Sequence, residues 1–165
     1  MKKTLTGILA IVTVFLLCIP AFAADTNQKN AVIVYTIIVN GKSLDIYDLP
    51  VAPYDENDTI MVPLRKIGEA LGYKVEWNPE TKAITIDDNY IQKATLFNGS
   101  ATVIFEGKLQ VINMSREIEN AVQTVIYNGH TYVPLEFFQE FFNDTTVEGA
   151  IIKIKPSICE LGSEH

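Results

Sequence analysis

Short apolar stretches separated by turn signals run through most of the chain, and their periods assign its elements. Val32 to Val39 is a β-branched run that stops at Asn40-Gly41, with Ser43 to Tyr47 read as the return strand. Asn-Gly between apolar runs marks a tight hairpin, because both central residues must accept positive φ. Pro50, Pro53 and the polar run Asp55 to Asp58 form a loop before a brief strand, Thr59 to Val62. Pro63 then opens a helix, since the first helical turn has no partner for the N–H that proline lacks. Leu64, Ile67 and Leu71 fall on one face of a 3.6-residue period, and Gly72 takes the stop position just past the helix. Val75 and Trp77 alternate with Lys74 and Glu76, so one half-buried strand leads into the turn Asn78 to Lys82. Ile84 and Ile86 mark the strand that returns from it.

The second half repeats this plan. Leu96 to Gly99 is a strand and turn. Thr102 to Phe105 and Leu109 to Ile112 flank a turn at Glu106-Gly107-Lys108. Thr124 to Tyr127 and Thr131 to Val133 flank Asn128-Gly129, and Pro134 opens a second helix. Leu135, Phe138 and Phe142 each lie 71 residues after Leu64, Ile67 and Leu71, with Asn143 in place of Gly72. Thr145 to Val147, Glu148-Gly149 and Ile151 to Ile154 form a closing hairpin. Aligning MVPLRKIGEALG with YVPLEFFQEFFN predicts an internal duplication, with repeats at about 35–87 and 96–155. Helices embedded among hairpins predict an α+β fold: antiparallel strands packed on two short helices, without a parallel sheet.

Composition changes this picture in one place. Of the 165 residues 48% are hydrophobic, but the N-terminus inflates that figure. Met1-Lys2-Lys3, the apolar run Leu5 to Ile19, Pro20 and Ala21-Phe22-Ala23 make the three-part pattern of a secretory signal peptide. The alternative is a retained membrane anchor, but the run is short for a span of about 20 residues. Cleavage after Ala23 would leave 142 residues with a net charge of −9, against −7 for the whole chain. Residues 24–30 read as a flexible lead, 31–155 as the domain and 156–165 as a tail. The expected location is extracellular or at the cell envelope, with no membrane span after cleavage. One cysteine, Cys159, would remain, so no internal disulfide could form. The excess of 20 acids over 13 bases argues against a nucleic-acid partner, which needs a basic face.

The segment MVPLRKIGEALGYKVEWNPETKAITI, Met61 to Ile86, closely resembles the copper amine oxidase N-terminal-like, or stalk, domain of secreted bacterial proteins. Tyr127 to Leu135, Val39 to Lys42 and Glu106 to Lys108 fit the same pattern, so the resemblance covers about residues 35–155. The signature positions are Val62, Pro63, Leu64, Arg65, Glu69, Gly72, Trp77, Asn128, Gly129, Val133, Pro134 and Leu135, read as structural. The resemblance implies a small non-catalytic α+β module, without cofactor, carried by secreted or surface proteins. Its partner would be an envelope polymer, another protein or a second copy.

The residues themselves speak against the oxidase chemistry in that name. A copper amine oxidase catalytic domain needs three histidines and a quinone-forming tyrosine; this chain has two histidines, His130 and His165, and Asn89-Tyr90 is followed by Ile91, not an acid. His130 lacks a second ligand at metal-binding spacing. Asp55 to Asp58 and Asp87 to Asn89 lack the spacing of a calcium loop. No catalytic residue or metal ligand is nominated. A small hydrolase with unrecognised acids and a carbohydrate-binding module using Trp77 remain as alternatives. Arg65 is expected to pair with Glu69 or with nearby carbonyls, and Trp77 to pack in the core. Phe137 and Phe141 widen the apolar arc of the second helix to about 160°. Two readings stay open for them: a helix buried on two sides, or an exposed aromatic edge used as an interaction surface.

Overall fold

The computed structural model describes residues 33–109 and 114–157. The expected signal segment and lead, and Cys159, lie outside the described residues, as does most of the expected tail. Strand β1 (Thr36–Val39) turns at Asn40-Gly41, both at positive φ, into the short β2 (Lys42–Ser43). The expected continuation to Tyr47 does not form. The Asp45 carboxylate accepts the Tyr47 N–H at 3.1 Å, a local turn that competes with strand pairing and leaves Tyr47 exposed.

Strands β3 (Tyr54–Glu56) and β4 (Thr59–Pro63) form a hairpin, and β4 runs directly into helix α1 (Leu64–Ala70). Pro63 is thus the last extended residue, at φ −73 and ψ 111, and fixes the entry to the helix. Leu64 and Ile67 are buried, while Gly72 leaves the helix at φ +86. Next comes a five-stranded antiparallel meander: β5 (Lys74–Asn78), β6 (Ala83–Asp87), β7 (Gln92–Phe97), β8 (Thr102–Gly107) and β9 (Ser115–Glu119). Strand β8 therefore passes through the expected turn at Glu106-Gly107. Its partner is β9, which carries a single apolar residue, Ile118, and so lacks the expected alternation. Arg116 on β9 covers the Phe105 ring at 4.6 Å and pairs with Glu140 at 2.8 Å. Part of the expected return strand, residues 110–113, lies outside the described residues.

Hairpin β10 (Val125–Tyr127) and β11 (His130–Pro134) leads into the second helix, Leu135–Phe141, which is a 3₁₀ helix. At three residues per turn, Leu135, Phe138 and Phe141 stack on one face. Phe142 leaves that face in the left-handed region, φ +56, and is 45% exposed. This corrects the expected placement of Phe142 on the buried face. Phe137 and Phe141 are 1% and 3% exposed, so the exposed aromatic edge is also corrected. Their rings pack 5.5 Å apart, and each lies 5.3–6.0 Å from Phe105 on β8. Asn143, expected to stop the helix, is instead buried at the start of β12 (Asn143–Glu148), which pairs with β13 (Ile151–Pro156).

The strands order as β12-β13-β1-β2, β10-β11-β4-β3 and β5-β6-β7-β8-β9. All pairs are antiparallel except β1 with β13, which are parallel and join the two ends of the domain. That pair departs from the all-antiparallel expectation. In the second sheet β4 and β11 meet antiparallel, Val62 opposite Val133. Buried Ile37 and Ile154, Val62 and Val133, Ile86 and Leu96, with both helices, form one core. Strands make up most of the regular structure, and the two short helices complete an α+β fold. Among the described residues no helix is long and apolar enough to cross a membrane.

Two consequences of this packing are measurable. A β-carbon on buried Gly68 would lie 3.0 Å from Val75 and 3.1 Å from Ile86, so α1 sits tightly against β5 and β6. Gly68→Val should cost about 1–3 kcal/mol through overpacking, read by denaturant unfolding. The buried Tyr35 hydroxyl donates to both Asp55 oxygens at 2.8 and 2.9 Å. Burial and that carboxylate push its pKa up to about 12, and burial raises Tyr73 and Tyr132. Raised phenol pKa values give stability that is complete below the ordinary value near 10 and is lost as pH climbs. Unfolding free energy should therefore fall between about pH 10 and pH 12. In Tyr35→Phe that fall should be shallower.

Candidate functional site

Helix α1, the β5–β6 hairpin and the β10–β11 turn enclose a cleft of about 450 Å³. Its wall is apolar where Val75, Trp77, Ile84 and Ile126 contribute, and polar where Arg65, His130 and Thr131 do. That size falls in the range of ligand clefts, about 300–1,000 Å³. The sequence places each group by a simple local rule. Arg65 follows Leu64 in α1, so it points away from the side that Leu64 buries. Trp77 stands opposite Ile84 across β5–β6. Asn128 and Gly129 have φ +47 and +81, the two positive values a tight hairpin turn needs, and they bring His130 to the rim.

Arg65 is held from two sides. Its Nη1 donates to the Val75 carbonyl at 2.8 Å and lies 3.4 Å from Glu69 Oε1. Half its side chain stays exposed, so the contact with Glu69 is a weak surface pair while the Val75 bond fixes the guanidinium over β5. Trp77 corrects the expectation of core packing, for it is 45% exposed. Strand β5 is the outer strand of its sheet, and α1 packs against it at Val75, where a β-carbon on Gly68 would lie 3.0 Å away.

The signature residues thus divide. Val62, Pro63, Leu64, Val133, Pro134 and Leu135 are buried and build the paired strands and helix entries. Gly72 and Asn128 serve the backbone. Arg65, Trp77 and Gly129 line the cleft, with Glu69 beside Arg65. Phe137 and Phe141 lie in the core and not at the site. Ile126 and His130 were missed as wall residues. The hairpin was legible, but nothing in its spacing said which surface its turn would face.

The acidic stretches carry structural duties. Asp88 Oδ1 accepts the N–H groups of Tyr90, Ile91 and Gln92 at 2.8–3.0 Å, and Asp87 pairs with Lys108 at 2.7 Å. Asp55 accepts from Tyr35. Among the described residues no group of three or more His, Cys, Asp or Glu side chains could hold a metal ion. Among the described residues no carboxylate lines the cleft.

Comparison with known families decides the affiliation. The model of the copper amine oxidase N-terminal domain matches residues 38–148, about two thirds of the chain. The chain belongs to this family. The matched residues are those of the N-terminal domain. A protein from Brevibacillus choshinensis with the name "Protease inhibitor" is 28% identical over 141 residues. The match spans 85% of this chain but 38% of that relative, so this chain covers well under half of it. No solved structure matches the chain.

Proposed function

We propose that this copper amine oxidase N-terminal domain is a secreted, non-catalytic binding module, acting at the cell envelope or outside the cell through the Arg65–Trp77–His130 cleft. The observation that carries the reading is the exposed indole of the chain's single tryptophan, set in a cleft between three elements. An indole left half in water contributes little to folding and offers a large surface to a ligand. Export rests on the N-terminal pattern, with cleavage after Ala23. The antiparallel pairing of two Val-Pro strands, each entering a short helix, supports an ancestral duplication whose copies carry Arg65 and Glu136 at matching positions.

The test uses the protein with Cys159→Ser as bait on envelope and culture-medium fractions, beside a Trp77→Ala/Arg65→Met variant. Trp77→Ala by itself should change stability by under about 1 kcal/mol. Material captured by the first bait and lost with the second is the expected result. Equal capture by both overturns the cleft as the site. The relative's name favours a second reading, inhibition of a protease. Titration of the protein into subtilisin-type and trypsin-type proteases, with hydrolysis rates as the readout, tests it directly.

A further inference from the structure

We infer that the cleft takes the C-terminal end of a polypeptide, an apolar last side chain beside a free carboxylate; this rests on the cleft being the binding site. The charge pattern is the first argument. The chain has 20 acids and 13 bases, yet among the described residues the cationic side chain lining this cleft, Arg65, has no carboxylate beside it in the lining; Glu69, 3.4 Å from its Nη1, is a half-exposed surface partner outside the lining. An anionic group is therefore the complement. A guanidinium carries five N–H donors in a planar fork that matches a carboxylate. Among the described residues the hydrogen bonds of Arg65 run through Nη1 alone. The bond to Val75 keeps the fork in place before any ligand arrives, so little ordering is required on binding.

The remaining wall selects what sits beside the carboxylate. Val75, Ile84, Ile126 and the Trp77 indole offer an apolar surface that suits an aliphatic or aromatic side chain. Strand β5 ends one sheet and β10 ends another, but the Val75 carbonyl is already taken by Arg65 and the Ile126 N–H by Asn98 Oδ1, so recognition falls to the side chains of the cleft. The space over Gly129 is open, with nothing within 4 Å of where a β-carbon would stand. For a sugar, among the described residues this cleft offers the Thr131 hydroxyl, whereas the amide and carboxylate side chains that read a ring of hydroxyls, Asn78, Glu76 and Glu80, line a second groove that shares Trp77.

The single tryptophan makes the test site-specific. The purified protein is titrated with acetylated tripeptides ending in Val, Leu or Phe, each as the free acid and as the C-terminal amide, and with chito-oligosaccharides. Trp77 emission and calorimetry are read together. The inference expects at least one free acid to bind with a shift in Trp77 emission, and its amide to bind about tenfold or more weakly. Arg65→Met should remove the preference for the acid, and Arg65→Lys should restore part of it; matched melting temperatures show that both variants fold. Equal binding of acid and amide, or binding of the sugar alone, overturns the peptide-end inference and leaves the cleft as the site. If no probe binds, the inference fails, and the capture experiment with the Trp77→Ala/Arg65→Met bait decides separately whether the binding reading survives.

Discussion

Phe137→Ala should lower the unfolding free energy by about 3–5 kcal/mol, one of the largest effects available in this chain. Phe137 is 1% exposed and meets the rings of Phe105, Phe138 and Phe141 at centroid distances of 6.0, 5.5 and 5.5 Å. Truncation removes the buried ring and leaves a cavity against β8 that rigid strands cannot close. Its neighbour Phe142 is the internal control. At 45% exposure, Phe142→Ala should cost under about 1 kcal/mol. Denaturant unfolding with an unchanged m value reads both. Near-native stability in Phe137→Ala, joined to altered sedimentation, would restore the exposed-edge reading and contradict the packing described above.

Asn143→Asp should cost about 2–4 kcal/mol near neutral pH. Asn143 is 3% exposed, and its Nδ2 donates to the carbonyls of Phe138 and Phe141 at 2.9 and 3.2 Å. Its Oδ1 accepts the Tyr73 hydroxyl at 3.1 Å. The amide therefore ties the end of the 3₁₀ helix to β12 and to the strand entry at Tyr73. A carboxylate would set an acceptor against two acceptors in a buried place. Burial would raise the folded pKa of that carboxyl, so the deficit should be full above the raised value. It should shrink as pH falls and the acid regains one O–H donor. A deficit that did not depend on pH would show that shape, and not the hydrogen-bond pattern, holds this junction.

The parts of the fold that were legible in sequence have local causes. Asn40-Gly41 and Asn128-Gly129 need positive φ, and Val-Pro-Leu sets an extended residue before a helix. The failures have tertiary causes. Leu135 to Phe142 carries an α-helical pattern, but pairing of β12 with β13 begins at Asn143, so the helix closes at three residues per turn and Phe142 turns outward. Strand β9 shows one apolar residue because its ladder with β8, and not its own burial, defines it. The parallel pairing of β1 with β13 joins residues more than a hundred positions apart, beyond any local signal. At the site, Arg65 and Trp77 stood out by type and spacing. Their shared surface with His130 depends on how a meander and a distant hairpin pack, which no spacing encodes.

The most direct measurement of the central claim is amide and indole chemical-shift mapping of the ¹⁵N-labelled protein, mixed with the fraction that it captures from envelope or medium. The account predicts shifts at the Trp77 indole N–H and along residues 128–131, with the buried β4–β11 pair unmoved. Shifts elsewhere on the surface, with the Trp77 indole unchanged, would contradict it.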